Sequence, residues 1–364
     1  MRTAEVALLV SLALMADWRR VEPGVAIELP RDHAAHPDVR TEWWYVTGHL
    51  ADEAGRAFGF QFTIFRSGMD PEPPAPGASP FRARQVYAGH LAVTDVARGR
   101  TLFAERLRRE AAGFAGAATE KLSAWVENWS IEAEDAANPG GVVLRVAGAD
   151  AARGLALRLA LTPRKPAVRH GDGGYSKKGD DPGNASAYVS FTRLEARGTL
   201  APGDGEPERA VAGEAWFDHE WGTTQLGRGV VGWDWFSLQL DDGRELMLYG
   251  LRRADGTPAD ASAGTLVRAD GSTRRLARED FAIEPSATWT SPRSRARYPS
   301  AWRVRVASES IDFALAPLVP DCELDTADST GVTYWEGPVR VTGSASGRGY
   351  AELTGYAGSM DGFF

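Results

Sequence analysis

The chain has 364 residues, of which 43% are hydrophobic and 25% charged, and its formal net charge is −8. This composition is typical of a globular protein with a large core, and it excludes an intrinsically disordered chain. Lys and Arg form no dense run, so we predict no nucleic-acid partner. The single cysteine, Cys322, excludes an intramolecular disulfide and a cysteine cluster for metal. The length favours two domains.

Residues 1–16 resemble a short secretory signal, because Arg2 precedes an apolar run and small residues stand at Ala13 and Ala16. We therefore expect a periplasmic or secreted protein. The alternatives are a cytoplasmic protein with a buried N-terminal helix and a misassigned start codon. The apolar run is too short to span a bilayer, and no later segment is long and apolar enough, so we predict no stable membrane insertion.

Strand patterns alternate with turn residues from residue 25 almost to the end of the chain. Residues 42–50 predict one strand, and residues 58–66 predict another with three phenylalanines and an isoleucine on one face. Residues 155–161 show the same alternation, with leucine at every second position. No long segment has a helical period, so we predict an all-β fold of antiparallel barrels or sandwiches.

A segment rich in Pro, Gly and acidic residues at 202–208 is the best candidate for a linker. We therefore predict an N-terminal β domain at 26–201 and a C-terminal β domain at 209–364. Residues 162–184 form a polar, Gly-rich loop that is too long for a hairpin, and it carries His170. Long loops inside compact domains are often functional, so His170 is a candidate site residue.

Residues 215–252 combine carboxylates with large aromatic side chains, which is unusual in a segment with a strand pattern. Its second half predicts a hairpin, because Asp242-Gly243 separates two alternating runs. Asp234 shares a strand face with apolar neighbours, so it must find a partner or stay protonated. The tryptophans of this segment, and the acidic residues and histidine set among them, are Trp216, Asp218, His219, Glu220, Trp221, Trp233, Asp234 and Trp235.

Several motifs of known chemistry are missing from the sequence. His219-Glu220 resembles the start of a zinc-protease helix, but no second histidine follows at helical spacing. The sequence Gly343 to Gly347 has Ala345 where a nucleophilic serine would stand. Neither a dinucleotide fingerprint nor a phosphate loop is present. We therefore predict no metal and no cofactor.

The remaining signal is a set of carboxylates beside aromatic residues, which predicts an apolar pocket with an acid in its wall. Such a site suits acid-catalysed addition to an alkene, because burial favours the protonated carboxyl group and aromatic faces stabilise a cation. The alternative is that these carboxylates accept hydrogen bonds from buried indole groups in a structural network. The carboxylates concerned are Glu42, Asp218, Glu220, Asp234, Glu336 and Glu352.

Several long segments resemble the AttH/CrtC family of lipocalin-like proteins, whose members are often labelled predicted secreted hydrolases. These segments are HPDVRTEWWYVTGHL, FGFQFTIFR, YAGHLAVTD, AWFDHEWG, GWDWFSLQLDDGRELMLYGLR, TYWEGPV and GYAELTGY. The resemblance implies two lipocalin-like β domains. Family members include carotenoid 1,2-hydratases, which add water to a terminal isoprenoid double bond, and fungal relatives that act as cyclases. In the hydratases an aspartic acid is implicated as proton donor, and Asp218 is the position that we match to it. No triad supports a hydrolase.

Two functional hypotheses follow from the residues and the resemblance. The first is a hydro-lyase of hydratase type that binds a hydrophobic, isoprenoid-like or carotenoid-like molecule, with Asp218 as the acid and His219 or Glu220 orienting it. The second is a non-catalytic periplasmic carrier that passes such a ligand to an ABC transporter. In both, the predicted ligand-binding residues are Trp43, Trp44, Trp216, Trp233, Asp234, Trp235, Tyr249, Trp335 and His170.

Overall fold

The computed structural model describes residues 17–72, 77–79, 81–224 and 226–361, so the predicted signal segment lies outside the described residues. Short 3₁₀ helices cover Arg31–His33, Arg278–Asp280 and Ala307–Glu309. The first group of strands is β1 Thr41–Asp52, β2 Ala57–Gly68, β3 Gln85–Asp95, β4 Arg100–Arg109, β5 Ala115–Ala117, β6 Ser123–Val126, β7 Trp129–Asp135, β8 Val142–Asp150, β9 Leu155–Pro163, β10 Val168–Arg169, β11 Tyr175–Lys177, β12 Ala185–Pro202 and β13 Arg209–Gly222. The second is β14 Val230–Leu240, β15 Glu245–Arg253, β16 Ala263–Val267, β17 Thr273–Leu276, β18 Ala282–Thr290, β19 Arg297–Val306, β20 Ile311–Pro317, β21 Glu323–Asp325, β22 Thr333–Gly343 and β23 Gly347–Thr354.

The strands form two curled antiparallel sheets, one nearly closed into a barrel and the other a half-barrel. The first sheet has the order β4-β3-β2-β1-β13-β12-β9-β8-β7-β6-β5, and β10 and β11 pair with β12. The second has the order β17-β16-β15-β14-β23-β22-β20-β19-β18, and β21 pairs with β22. The prediction of an all-β, lipocalin-like architecture is therefore confirmed.

Strand alternation determines where each core lies. Every second residue of β2 from Phe58 to Ile64 and of β9 from Leu155 to Leu161 is buried in one cluster inside the first sheet. Successive side chains on a strand point to opposite faces, so this period of two places one face of each strand in the core. A second cluster, which includes Phe236 and Trp302, fills the second sheet.

The hairpin predicted at Asp242-Gly243 joins β14 to β15. Gly243 has a φ of 85°, a left-handed conformation that glycine adopts without steric cost. The long polar loop before β12 also takes the predicted position, although it contains β10 and β11, which pair with β12.

The chain passes from the first sheet to the second between Gly222 and Val230. β13 follows the predicted linker, yet it lies in the first sheet between β1 and β12. The predicted division after residue 201 therefore does not coincide with the division between the sheets. The reason is that β13 is long and pairs along most of its length with β1 and with β12, which only the register of these strands reveals.

The two sheets pack against each other through a third cluster with aromatic residues from both, among them Tyr45, Tyr188 and Trp235. A charged clamp lies in the same interface. Glu245 on β15 accepts hydrogen bonds from Lys165 Nζ at 2.8 Å and from Arg193 Nε at 2.6 Å, and both donors belong to the first sheet's part of the chain. Because Glu245 is fully buried, this pairing fixes the sheets relative to each other. The described residues contain no helix long and apolar enough to cross a bilayer.

Candidate functional site

A cavity of about 380 Å³ lies between the two sheets and is lined by residues from both. On β13, Asp218 and Glu220 face this cavity, whereas His219 between them points away from it. The alternation of β13 causes this arrangement, since neighbouring side chains on a strand point to opposite faces. The facing wall belongs to the second sheet, where Glu352 on β23 and Glu336 on β22 line the same space.

Asp218 is held by three hydrogen-bond donors. Its Oδ1 accepts from Ser190 Oγ and from Trp216 Nε1, the latter at 2.6 Å, and its Oδ2 accepts from Tyr188 OH at 2.8 Å. The Tyr188 hydroxyl in turn accepts from Trp235 Nε1 at 3.1 Å. Burial raises the pKa of Asp218 to about 7, although all three donors favour the charged form. Near neutral pH, Asp218 is therefore a buried carboxyl group that can donate a proton.

Glu220, two residues further on, has a different environment. Its Oε1 accepts from Ser186 Oγ and lies 3.0 Å from the ammonium group of Lys178. That ammonium group also lies 4.1 Å from the centre of the Tyr249 ring and 5.1 Å from that of Tyr188. Burial opposes the charge on Lys178, but Glu220 raises the Lys178 pKa. Glu220 and Lys178 thus form an ion pair in the wall, and the two carboxyl groups of β13 differ in role.

The second sheet contributes two further acids. Glu352 Oε1 accepts from Trp233 Nε1 at 2.7 Å and from Thr354 Oγ1 at 3.0 Å, and burial raises the pKa of Glu352 to about 6. Glu336 accepts a hydrogen bond from Tyr45 OH, which reaches across from the first sheet. Burial and the nearby Glu352 charge raise the pKa of Glu336 well above its usual range. One largely apolar cavity therefore contains four carboxyl groups, two from each sheet.

Aromatic rings complete the cavity wall. Tyr45 and Trp235 meet edge to face with ring centres 5.3 Å apart. The negative faces of Trp and Tyr rings attract a cation, and the attraction grows when the site excludes water. The site thus combines a proton donor with surfaces that stabilise positive charge. The predicted site residues that line it are Trp43, Asp218, Glu220, Trp233, Trp235 and Tyr249.

Some predicted site residues support the cavity from behind instead of lining it. Trp216 donates to Asp218, as described above. His170 Nε2 lies 2.7 Å from Ser190 Oγ, so it is one hydrogen bond behind the Asp218 carboxyl group. His170 Nδ1 lies 2.9 Å from Thr265 Oγ1 on the second sheet. Burial lowers the pKa of His170 to about 3, so its ring is neutral.

Other predicted ligand-binding residues belong to the structure away from the cavity. The Trp44 indole donates to His33 O at 3.1 Å, and the Trp335 indole donates to Pro320 O at 2.7 Å. Asp234 has the partner that a carboxylate beside apolar neighbours requires, because Arg252 Nη1 donates a hydrogen bond to it at 2.6 Å. The alternation of β1, β14 and β22 explains these positions, because Trp43, Trp235 and Glu336 occupy the opposite, cavity-facing side.

His219, which we predicted as a catalytic residue that orients Asp218, belongs to a buried ion-pair network instead. Its Nε2 lies 2.9 Å from Glu42 Oε1, and His36 Nδ1 lies 2.8 Å from the same oxygen. The other carboxylate oxygen of Glu42 accepts from Arg66 Nε at 2.8 Å. Although burial favours the protonated acid, hydrogen bonds from His219 and His36 and the charge of Arg66 lower the Glu42 pKa.

His36, Glu42 and His219 offer a set of ligand types that suits a metal ion. Two ligand atoms that bind a tetrahedral zinc ion at its usual bond lengths lie about 3.3 Å apart. The two ring nitrogens are closer than that to the Glu42 oxygen, and Arg66 supplies the positive charge that a metal would bring. The geometry is that of an ion-pair network.

The site also contains residues that the sequence reasoning did not select. The cavity-lining residues of this kind are Tyr45, Lys178, Tyr188, Glu336 and Glu352. Of these, Glu336 and Glu352 had been noted as carboxylates beside aromatic residues but not chosen as site residues. A signal for the donors was present in the sequence, because Ser186, Tyr188 and Ser190 alternate on β12. All three donate to carboxylates on β13. What the pattern lacked was the register between the two strands.

Comparison with known proteins supports one family. A family model described as AttH-like matches residues 20–356. The crystal structure of an AttH protein from Nitrosomonas europaea is 34% identical, with a TM-score of 0.82 over 93% of this chain and 99% of that chain. None of the curated proteins compared with the sequence matches it.

Two further structures share the fold. Kievitone hydratase from Nectria haematococca is 15% identical, with a TM-score of 0.68 over 94% of this chain and 97% of that one. The structure of CghA with Sch210972 is 13% identical, with a TM-score of 0.51 over 88% of this chain and 89% of that one. At these identities the likeness shows the fold alone. The family model and the Nitrosomonas structure together show that the chain belongs to the AttH-like family.

Proposed function

We propose that the protein is a hydratase that adds water across a carbon–carbon double bond of a hydrophobic, isoprenoid-like small molecule bound between the two sheets. The observation that carries the proposal is Asp218, a buried carboxyl group in an aromatic cavity whose pKa burial raises to about 7. An acid with a pKa near the working pH is both protonated and strong enough to donate. The fold shared with kievitone hydratase agrees with this activity.

The chemistry begins with proton transfer from Asp218 to one alkene carbon, which leaves a cation on the more substituted neighbour. Trp43, Trp235 and Tyr45 present aromatic surfaces to the same cavity and stabilise that cation. The donors Ser190, Trp216 and Tyr188 stabilise the Asp218 carboxylate that remains. Water then adds to the cation and loses a proton.

The test uses short alkenes, because the cavity volume of about 380 Å³ lies near the lower end of the range for small-molecule sites. Geraniol, farnesol and a phenol with a dimethylallyl side chain are incubated with the protein in ¹⁸O-labelled water. Mass spectrometry then detects an alcohol that has gained one labelled water. The Asp218→Asn variant keeps the shape of the side chain, and we expect it to bind the probe without hydrating it.

Asp234→Asn provides the matched control, because Asp234 is a partly buried carboxylate that pairs with Arg252 outside the cavity. We expect it to hydrate as the wild type does. Probes that bind to wild type and Asp218→Asn alike and stay unchanged on both would refute the hydratase and leave the carrier of hydrophobic ligands. Hydration by Asp218→Asn at the wild-type rate would refute the role of Asp218.

We also propose a periplasmic or secreted location, which rests on the signal-like sequence of residues 1–16. Fractionation of cells that produce the full chain, with N-terminal sequencing of the mature protein, tests it. An uncleaved protein in the cytoplasmic fraction would refute the location without bearing on the chemistry. Copurification with an ABC transporter from the same cells tests the carrier's proposed partner.

A further inference from the structure

Glu336 and Glu352 form a pair of acids in the wall opposite Asp218. They are direct cross-strand partners on β22 and β23, and both line the cavity. Side chains at directly opposed positions of antiparallel strands have Cβ atoms about 4.5–5.5 Å apart. Two negative charges so close together repel each other in a buried site, so such a pair holds one proton between its members.

The surroundings of the two acids decide which one keeps the proton. Glu352 accepts hydrogen bonds from Trp233 and Thr354, which favour its charged form. Tyr45 and Tyr334 favour the charged form of Glu336, but its Oε2 is buried without a hydrogen-bond partner among the described residues. An unpartnered buried oxygen strongly disfavours a carboxylate.

The other titratable groups near the pair do not reverse this order. Tyr334 and Tyr350 are phenols near Glu336, Cys322 is a buried thiol, and Glu220 is an acid whose charge is paired with Lys178. Within the described residues, no Lys, Arg or His forms an ion pair with either acid of the pair. The pair therefore carries one negative charge, on Glu352.

On the basis of the proposed hydratase function, we propose that Glu352 is the catalytic base that takes a proton from the attacking water, while Glu336 stays protonated and limits the pair to one charge. The acid and the base thus come from different sheets and face the ligand from opposite walls. Burial places the pKa of Glu352 at about 6, below the value of about 7 for Asp218. Between these values most of Glu352 is ionised while most of Asp218 keeps its proton.

The bonds and protons of this sequence balance. The alkene π electrons form a C–H bond as the O–H bond of Asp218 breaks, which leaves a cation and the Asp218 carboxylate. The water oxygen forms a C–O bond to the cation, and one of its protons passes to Glu352. The resulting tertiary or secondary alcohol leaves, and exchange with solvent returns the proton from Glu352 to Asp218.

The two steps can be separated in deuterated water. Reversible deuteron transfer from Asp218 labels the recovered alkene, whereas the complete reaction gives the alcohol. With the alkene probe that the wild type hydrates, we expect Glu352→Gln to lose about 10²–10⁴-fold in alcohol formation, the usual contribution of a general base. Deuterium should still enter the recovered alkene, because the step at Asp218 is intact.

Three variants show which proposal fails. Asp218→Asn should lose both alcohol formation and alkene labelling, and Asp234→Asn should keep both. If Glu352→Gln forms alcohol at the wild-type rate, Glu352 is not the base. The same conclusion follows if Glu352→Gln loses alkene labelling together with alcohol formation. In either case, the loss of both steps in Asp218→Asn would still support the hydratase. If wild type neither labels nor hydrates any probe, the proposed function itself is overturned.

The state of the acid pair has a test that needs no substrate. Infrared spectra at pH 7 should contain the C=O band of a protonated carboxyl group that Glu336→Gln removes and Glu352→Gln keeps. Loss of that band in Glu352→Gln but not in Glu336→Gln would mean that Glu352 holds the proton, and it would overturn the inference. Circular dichroism of each variant confirms that the β structure is retained.

Discussion

Replacement of Trp216 by Phe tests how the protein adjusts its acid. The Trp216 indole donates to Asp218 Oδ1 at 2.6 Å and thereby stabilises the carboxylate. A hydrogen bond to a charged group contributes about 1.5–3 kcal/mol. Because one pH unit corresponds to about 1.4 kcal/mol, its loss should raise the pKa of Asp218 by about one to two pH units. Phe keeps a buried aromatic ring but removes the donor together with part of the indole.

The assay is the pH dependence of hydration. In the wild type, the rate should fall above pH about 7, where Asp218 loses its proton, and below pH about 6, where Glu352 gains one. Trp216→Phe should move the upper limit upward by about one to two pH units and leave the lower limit in place. Infrared titration of the Asp218 carboxyl band gives the same shift without substrate.

Trp335→Phe is the matched control, since it removes a buried indole whose hydrogen bond goes to Pro320 O and not to Asp218. Both variants should lose similar stability, but only Trp216→Phe should move the upper limit. An upper limit that stays in place or moves downward would refute the reasoning, because the hydrogen bond would then not favour the charged form of Asp218.

Three further predictions concern stability. Between pH 4 and 7 the folded chain keeps a proton on Asp218 that the unfolded chain has lost. The free energy of unfolding of wild type relative to Asp218→Asn, measured by urea unfolding at each pH, should therefore fall with rising pH by on the order of 4 kcal/mol. The same pH dependence of stability in both proteins would contradict the effect of burial on Asp218. Glu42→Gln should lower the free energy of unfolding by about 3–5 kcal/mol, because Arg66 is left buried without its ion-pair partner. A loss below about 1 kcal/mol would show that the ion-pair network around Glu42 contributes little to stability. Lys178→Met should lower the stability by a similar amount, because the buried charge of Glu220 loses its ion-pair partner. Adding Glu220→Gln should restore most of the lost stability in thermal denaturation. If stability is not restored, the loss comes from packing and not from charge.

Much of the fold could be predicted from the sequence, because strand alternation leaves a direct record in it. The aromatic face of β2 and the leucine face of β9 both enter the predicted core. Asp242-Gly243 also marked its hairpin correctly. These signals are local, so they need no knowledge of which strands pair.

The site required information that is not local. The assignment of His219 as the residue that orients Asp218 conflicted with the strand period itself, since neighbours on a strand point to opposite faces. Two of the three donors to Asp218 come from β12, about thirty residues away, and only the pairing of Ser190 with Asp218 brings them together. Glu336 and Glu352 meet in the same way across β22 and β23. Lys178 reaches the cavity from a loop, for which no periodic pattern exists.

The buried clamp at Glu245 has a consequence for how such a protein diversifies. Lys165 and Arg193 fix one sheet on the other, and the separation of Asp218 and Glu352 depends on that docking, since each belongs to a different sheet. A substitution at the clamp would change the width of the reaction space while every residue that touches the ligand stays the same. Related chains could therefore acquire substrates of another thickness through changes remote from the cavity, and comparison of cavity residues alone would not detect the difference.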